Sequence, residues 1–311
     1  MYRGKVISIS VPAHNEAKLI ADVITGIPAF VDHICVVDDC STDETAAIAA
    51  AVGDSRVHLI RHEVNTGVGG AVISGHRKGL DLGCDVSVVM AGDNQMDPGY
   101  LPALLDPLID GGFGFSKANR FFSMESFRGM PGYRVFGNVV LSFLTKLASG
   151  YWNLFDPQNG YTAITRETLE RLDLTRISQG YEFENDLLIN LNILDVRATD
   201  VAVPAVYGQE ASGIRLSRVI PAISWLLVRG FWKRLIWKYV MRSFSPIALF
   251  FFTALLLLLW SFVFGLWVLV ETLGTSTAST GTVLLAIVPF MTAVQLLLSA
   301  LVLDIQQSPD R

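Results

Sequence analysis

His33-Ile34-Cys35-Val36-Val37-Asp38-Asp39 runs directly into Cys40-Ser41-Thr42-Asp43-Glu44-Thr45 and then an alanine-rich stretch ending at Ala51. Four consecutive apolar residues, three of them β-branched, predict a short strand buried on both faces. The polar cluster behind them stops the strand, and the stretch from Asp43 to Ala51 predicts a helix. The same order recurs outward from this stretch in both directions. Val6–Val11 precedes a helix-like Glu16–Thr25, Val57–Arg61 precedes Gly70–Leu82, and a further apolar run follows at Val86–Met90. Repeated strand and helix units predict a doubly wound α/β sheet, in which ligands bind beyond the carboxyl ends of the strands.

The strand ends are where unusual residues gather. Asn15 predicts an N-cap after the first strand, and Ser41 with Glu44 three residues later predicts a capping box after the second. Capping leaves Asp38 and Asp39 unexplained. Adjacent carboxylates at a buried strand tip repel each other, which points to ribose hydroxyls, base N–H groups or a metal as their partners. Asn65-Thr66-Gly67-Val68-Gly69-Gly70 follows the third strand and opens a helix, a geometry that can hold phosphate. Because these glycines do not follow the first strand, a dinucleotide site is not expected. After the fourth strand, Ala91-Gly92-Asp93-Asn94-Gln95-Met96-Asp97-Pro98 places the oxygen donors Asp93, Gln95 and Asp97 in a tight turn. Such donors suit a hard divalent cation bridging diphosphate oxygens, although Asp97 also reads as the cap of a helix begun by Pro98.

Of 311 residues, 51% are hydrophobic and 17% charged, and the mean hydropathy of +0.43 is high for a water-soluble enzyme. Residues 247–270 and 282–303 carry no charge over 24 and 22 residues, and each is long enough to cross a hydrocarbon core roughly 30 Å thick. Residues 1–210 hold 16 Lys/Arg against 26 Asp/Glu, whereas Arg215 to Arg242 holds seven basic residues and no acidic one. The loop between the two apolar runs has no Lys or Arg. By the positive-inside rule, the acidic body and both termini are expected in the cytoplasm of a multi-pass membrane protein. Trp225, Trp232, Trp237 and Tyr239 alternate with Arg229, Lys233, Arg234, Lys238 and Arg242, which predicts helices lying in the lipid interface, broken at Pro221, Gly230 and Pro246. Cys35, Cys40 and Cys84 lack C-x-x-C spacing, so neither a disulfide framework nor a zinc site is expected. The apolar run near Met1 is too short for a signal peptide.

In their order, PAHNE, DDCSTDET, NTGVGGA and GDNQMDP resemble the motifs of family 2 glycosyltransferases, with a GT-A (Rossmann-like) fold. The apolar hairpin makes the chain most similar to the polyprenyl-phosphate glycosyltransferases of the dolichol-phosphate mannose synthase type. This resemblance implies that Pro12, Glu16 and Asp39, with the neighbouring Ala13, Asp38, Asn65, Gly67 and Asn94, bind the nucleotide sugar. It implies that Asp93 and Gln95 hold Mg2+ or Mn2+ with the donor diphosphate. Ala91 departs from the family's D-x-D-x-Q pattern, leaving fewer protein carboxylates for the ion. Arg120, Arg134 and Asn138 match positions that bind the lipid phosphate. Asp156, in DPQNGY, and Asp186, in GYEFENDL, match conserved acids of the family and join Asp93 as catalytic candidates, and Glu184 is a further acid that could orient the acceptor. Ser212 aligns with a loop near the phosphates, with Arg215 as its replacement cation.

The implied reaction transfers one sugar, with inversion, from a GDP-mannose or UDP-glucose type donor to dolichyl or undecaprenyl phosphate. The implied domains are a catalytic domain at 1–215, interfacial helices at 216–246, a hairpin at 247–305 and a tail at 306–311. The bilayer is an expected partner, a homo-oligomer is compatible with the two spans, and no nucleic acid is expected. Alternatives are a transferase with another acceptor or a non-catalytic nucleotide-binding scaffold. A processive polysaccharide synthase is disfavoured because its Q-x-x-R-W motif does not occur.

Overall fold

The computed structural model describes residues 1–122, 132–204, 216–274 and 278–309. The chain divides into two units, Met1–Phe231 and Trp232–Ser308.

The first unit is built on a seven-stranded sheet of order β3-β2-β1-β4-β6-β5-β7. The first four strands are those the apolar runs predict: β1 Ile7–Ala13, β2 His33–Asp38, β3 Val57–Arg61 and β4 Val86–Val89. They are mutually parallel. The order reverses at β1, which has β2 on one side and β4 on the other, so a crevice opens above the carboxyl ends of β1 and β4. The second half departs from the parallel pattern. β6 (Thr162–Thr165) inserts antiparallel between β4 and β5 (Phe115–Asn119), and β7 (Ala198–Ala202) pairs parallel to β5. Because Val89 lies opposite Thr162, the turn that precedes β6 reaches the same edge as the end of β4.

Helices cover both faces. On one, α1 (Ile20–Gly26) and α4 (Leu101–Ile109) bury Ile20, Ile24, Leu101, Leu104 and Leu105 against Ile9, Val11, Ile34 and Val36. On the other, α3 (Val68–Asp81) and α7 (Phe183–Ile193) contribute Val72, Ile73, Phe183, Leu187 and Leu188 to a core with Val89, Phe115 and Ile164. Each such fully buried side chain is worth about 1.5–3 kcal/mol of transfer free energy. α3 sits close to β1, since a Cβ on Gly75 would stand 1.9 Å from Ser10 Oγ. α2 (Thr45–Ala51), α5 (Gly132–Ser149) and α6 (Arg166–Arg171) complete this part.

Neither predicted cap forms. α1 begins at Ile20 rather than beside Asn15, and the side chain of Glu44 makes no cap bond at α2. Asn15 and Ser41 instead lace two strand tips together: Ser41 Oγ accepts the Asn15 N–H at 2.9 Å, and Asn15 Oδ1 accepts the Thr42 N–H at 2.8 Å. Asp97 does cap the turn at Pro98–Tyr100, accepting the Gly99 N–H at 2.8 Å. Asn15, Cys40 and Asn94 have φ of 61°, 60° and 58°, so a left-handed residue stands beyond each of β1, β2 and β4. Such conformations cost roughly 1–3 kcal/mol each and gather at ligand sites.

α8 (Leu216–Arg234) runs unbroken through both Pro221 and Gly230, contrary to the expected breaks. Gly230 allows close helix packing instead, since a Cβ there would lie 2.3 Å from Ile189 Cδ1 of α7. The first unit therefore reaches Phe231, well past the expected boundary at 215.

The second unit contains a π-helical segment, Leu235–Arg242, followed by α9 (Pro246–Gly274) and α10 (Thr280–Gln306). Both long helices are strongly apolar, and most of their apolar residues are not buried within the protein. A soluble core helix would be mostly buried, so these are helices long and apolar enough to cross a membrane. Arg234, expected on lipid phosphate, is instead buried and paired with Asp304 at 2.6 Å, and Tyr239 bonds to both. A carboxylate placed directly after the second apolar run offsets the cation's desolvation.

Candidate active site

A cleft of about 400 Å³ lies at the β1/β4 switch point. Pro12, Ala13, His14 and Glu16 line it from the β1 tip, and Ala91, Gly92 and Asp93 line it from the β4 tip. Asp39, Asn65, Gly67, Val68 and Ala71 form another wall, and Gly180 and Tyr181 close it ahead of α7. Seven residues expected on the nucleotide sugar therefore meet here: Pro12, Ala13, Glu16, Asp39, Asn65, Gly67 and Asp93. Two do not line the cleft. Asp38 is buried, accepts the Ser41 N–H at 3.2 Å and lies 3.6 Å from Arg61 Nε, so it holds the β2 turn. Asn94 occupies the exposed left-handed corner of the β4 turn.

Asp39 is built into the wall. Its Oδ1 lies 2.7 Å from His62 Nδ1 and accepts from the Thr66 N–H and hydroxyl, both at 2.9 Å, while Oδ2 accepts the Gly67 N–H at 2.8 Å. Burial alone would raise its pKa, but the bonds from Thr66, His62 and Gly67 outweigh burial and hold it below the ordinary value. His62 Nε2 in turn lies 2.9 Å from Ser74 Oγ. Asp39 thus fixes the glycine-rich loop. The glycines themselves serve close packing: a Cβ would come within 2.7 Å of Gln179 O at Gly67 and 2.7 Å of Phe183 Cβ at Gly69.

At the β4 tip, Asp93 Oδ1 accepts the Gln95 N–H at 3.1 Å, and burial raises the pKa of its carboxyl. Among the described residues no three His, Cys, Asp or Glu side chains gather as an ion site. The donor set is hard oxygen and fits Mg2+ or Mn2+ in kind. With Ala91 in place of a carboxylate, however, Asp93 and Gln95 would hold the ion only together with diphosphate oxygens.

The acceptor-side expectations divide. Arg120 forms a two-pronged pair with Asp156, Nε to Oδ2 at 2.7 Å and Nη2 to Oδ1 at 3.1 Å, and its backbone N–H reaches Oδ2 at 3.2 Å. Asp156, expected as a catalytic acid, is only 1% exposed and both its oxygens are engaged by Arg120. Asp186, the other expected acid, is buried, with Oδ2 accepting the Ser178 N–H at 2.8 Å and Oδ1 accepting from Asn190 at 2.9 Å. That clasp steadies the loop carrying Gly180 and Tyr181. Arg134 and Asn138 lie one turn apart on α5. Ser212 and Arg215 lie outside the described residues.

His14, Gly180 and Tyr181 also line the cleft, and each stands inside one of the motifs quoted above. Lys117 has no signal in the sequence beyond being a lysine inside a strand pattern. Lys117 is 1% exposed on β5, and its Nζ donates to the Asn159 carbonyl. Burial lowers its pKa against the pull of Glu184, Asp156 and Asp200.

Residues 8–173 match the model of the family described as glycosyl transferase family 2. A UDP-N-acetylglucosamine–dolichyl-phosphate N-acetylglucosaminyltransferase from Methanococcus voltae is 30% identical, over 65% of this chain and 86% of the relative. A polyprenol monophosphomannose synthase from Mycolicibacterium smegmatis is 32% identical over 58% and 69%. An undecaprenyl-phosphate mannosyltransferase from Micrococcus luteus is 30% identical over 63% and 82%. Among solved structures, glucosyl-3-phosphoglycerate synthase from Mycobacterium tuberculosis in complex with UDP is similar, with a TM-score of 0.56 and 26% identity over 74% of this chain and 80% of that one. Other crystals of that synthase hold Mn2+ with UDP-glucose, or Mg2+ with UDP.

Proposed function

The chain belongs to glycosyl transferase family 2, and from that premise we propose that it transfers one sugar from a nucleotide-diphospho sugar to a polyprenyl phosphate. The transfer inverts the anomeric centre and takes place at the cytoplasmic face of a membrane crossed by α9 and α10. The observation that carries this reading is the switch-point cleft, with Asp39 fixed in its wall and Asp93 at the β4 tip, in a chain that also carries two unburied apolar helices. The names of the similar transferases support the acceptor class. The basic, tryptophan-rich stretch of α8 and the π-helical segment would lie in the lipid headgroups, with the exception of Arg234.

Pro12, Ala13, His14 and Glu16 bind the nucleoside beside Asp39, while Asn65 and Gly67 border the diphosphate. Asp93 and Gln95 would hold Mg2+ or Mn2+ together with the diphosphate, and the ion would neutralise charge on the departing nucleoside diphosphate. On the acceptor side, Asp156 fixes the plane of the Arg120 guanidinium. Arg120 holds the lipid phosphate with Arg134 and Asn138 of α5, and Ser212 and Arg215 complete the set. Arginine suits this task because its fork meets two phosphate oxygens. A phosphate monoester with a second pKa of about 6 is largely dianionic near neutral pH, so its oxygen attacks without a strong base. Catalysis then rests on alignment and on neutralising the leaving group.

The test incubates detergent-purified protein with Mg2+ or Mn2+, undecaprenyl or dolichyl phosphate and a panel of UDP- and GDP-sugars, and follows lipid-linked sugar by mass spectrometry. A product that disappears with EDTA supports the reading. Donor hydrolysis without a lipid product would overturn the acceptor, and failure to bind any nucleotide would favour a scaffold.

A further inference from the structure

α5 is inside out for a helix of a water-soluble domain. Its outward stripe is Phe136, Val139, Val140, Phe143 and Leu144, all exposed, with Phe136 at 71% and Phe143 at 53%. The spacing is that of a single apolar helix face, which ordinarily turns toward the core. The inward face carries the hydroxyls of Ser142, Thr145 and Ser149, all buried. Each is satisfied inside: Ser142 Oγ donates to the Phe155 carbonyl at 3.2 Å, Thr145 Oγ1 donates to Asn185 Oδ1 at 3.0 Å, and Ser149 Oγ accepts the Tyr151 N–H at 3.3 Å. These bonds fix the rotation of the helix, which cannot roll its apolar stripe inward without breaking all three.

The turn after α5 extends the stripe. The Trp152 ring meets Phe143 edge-on with centroids 6.4 Å apart, and Lys146 Nζ lies 4.6 Å from the centroid of the exposed Phe155 ring. Tryptophan and a cation around an apolar patch are the composition of a surface that meets lipid headgroups.

Three observations select a bilayer as what covers this face. Residues 132–155 contain no Asp or Glu, in a body whose residues 1–210 hold 26, so an anionic lipid surface is not repelled there. α8 packs beside α5, with Ile223 and Leu227 in one buried cluster with Ala148, and the chain runs on from α8 to the apolar α9. The stripe over residues 136–144 is about 12 Å long at about 1.5 Å per residue, too short to supply the roughly 800 Å² per partner that a stable pair of chains buries.

Resting on the proposed membrane crossing by α9 and α10, we propose that α5 is seated in the bilayer surface, with its apolar stripe in the boundary between headgroups and acyl chains. The domain then touches the membrane at two places, α5 and the basic stretch that begins in α8. α5 also bears Arg134 and Asn138, so seating it carries the proposed phosphate contacts to the depth of the headgroups.

The test places benzoylphenylalanine singly at Phe143, at Leu259 of α9 and at Glu167 of α6, each exposed, in the full chain reconstituted into liposomes of phosphatidylcholine and phosphatidylglycerol. Irradiation should give phospholipid adducts, read by mass spectrometry, at Phe143 and Leu259 and none at Glu167. An adduct at Leu259 without one at Phe143 would overturn the seating of α5 and leave the crossing intact. No adduct at Leu259 would overturn the crossing, and this proposal with it. Chain-to-chain products at Phe143 in place of lipid adducts would assign the face to a second copy and overturn the seating as well.

Kinetics read the consequence for transfer. The triple variant Phe136→Asn, Val140→Asn, Phe143→Asn should raise KM for undecaprenyl phosphate in those liposomes roughly 10-fold, as expected when apolar area no longer enters the lipid, with kcat and affinity for nucleotide unchanged. Its kcat/KM for a short, water-soluble prenyl phosphate should match that of the unaltered chain. An unchanged KM for the long acceptor, or equal losses for both acceptors, would overturn the proposal. If no lipid-linked product forms at all, the acceptor reading fails and the adducts still decide the place of α5.

Discussion

The two halves of the sheet organise charge in different ways. At the ends of β1 to β4, acidic side chains are held by backbone N–H groups of their own or neighbouring turns, as Asp39 is by Thr66 and Gly67 and Asp93 is by Gln95. Around β5 to β7, charges are held by other side chains across long sequence separations, as Arg120 is by Asp156 and Asp200 is by Asn119. The first arrangement makes rigid turns that frame an open cleft. The second makes a buried network, in which every charge depends on the presence of the others. Changes in the first half should therefore act locally, and changes in the second should act in groups.

The largest effect is expected at Asp93. Asp93→Ala should lower transfer by about 10³-fold or more, in line with the loss of a group that stabilises a leaving charge, while the thermal midpoint shifts little; retained activity would show that the β4 tip is not the diphosphate site. Next, Arg120→Ala and Asp156→Ala should each reduce kcat/KM by about 10²-fold. The double variant should be no worse than either single one, because residues that act as a unit are not additive. Additive losses would separate the pair and break the contrast between halves.

Asp39→Asn should cost about 2–4 kcal/mol of stability, since several bonds to a charged acceptor are weakened together. Because the folded-state pKa of Asp39 is lowered, its contribution is present above the unfolded value near 4 and lost as pH falls through the folded value. The acid limb of a melting profile should flatten in Asp39→Asn. Asp200 has the opposite sign. Burial pushes its carboxyl up to about 6, with Phe155 N–H and Lys117 opposing, so stability should fall as pH rises from about 4 to 6 and stay level above. Asp200→Asn should remove that slope, a gain of about 1–3 kcal/mol at pH 7. A profile unchanged by the substitution would mean that the β5 to β7 network does not carry the charge described.

The same contrast explains what could be read in advance. β1 to β4 were legible because each is a continuous apolar run followed by a turn cluster, and parallel burial leaves that signature. β6 is only Thr162–Thr165, too short and polar for any periodicity, and its antiparallel insertion is a tertiary event. Seven residues that line the cleft were legible as turn motifs. The contacts of Asp156 and Asp186 were not, because motif position does not reveal that Arg120 and Ser178 occupy their oxygens. Asn15 and Ser41 read as helix caps because sequence spacing cannot show that the neighbouring strand tip lies closer than the next helix. Arg234 read as a lipid contact because its partner, Asp304, lies 70 positions away.

The left-handed residue beyond β2 is a cysteine, and this gives the fold an unequal chemical exposure. Cys35 and Cys84 are buried, and burial raises both thiols, Cys84 to about 12, which makes them poor nucleophiles. Cys40 is half-buried, with φ at 60°. Thiol-alkylating reagents should therefore modify the native protein at a single cysteine, the one adjoining Asp39 in the cleft wall. Glycine at that position would relax the backbone and leave the folded protein silent to thiol reagents.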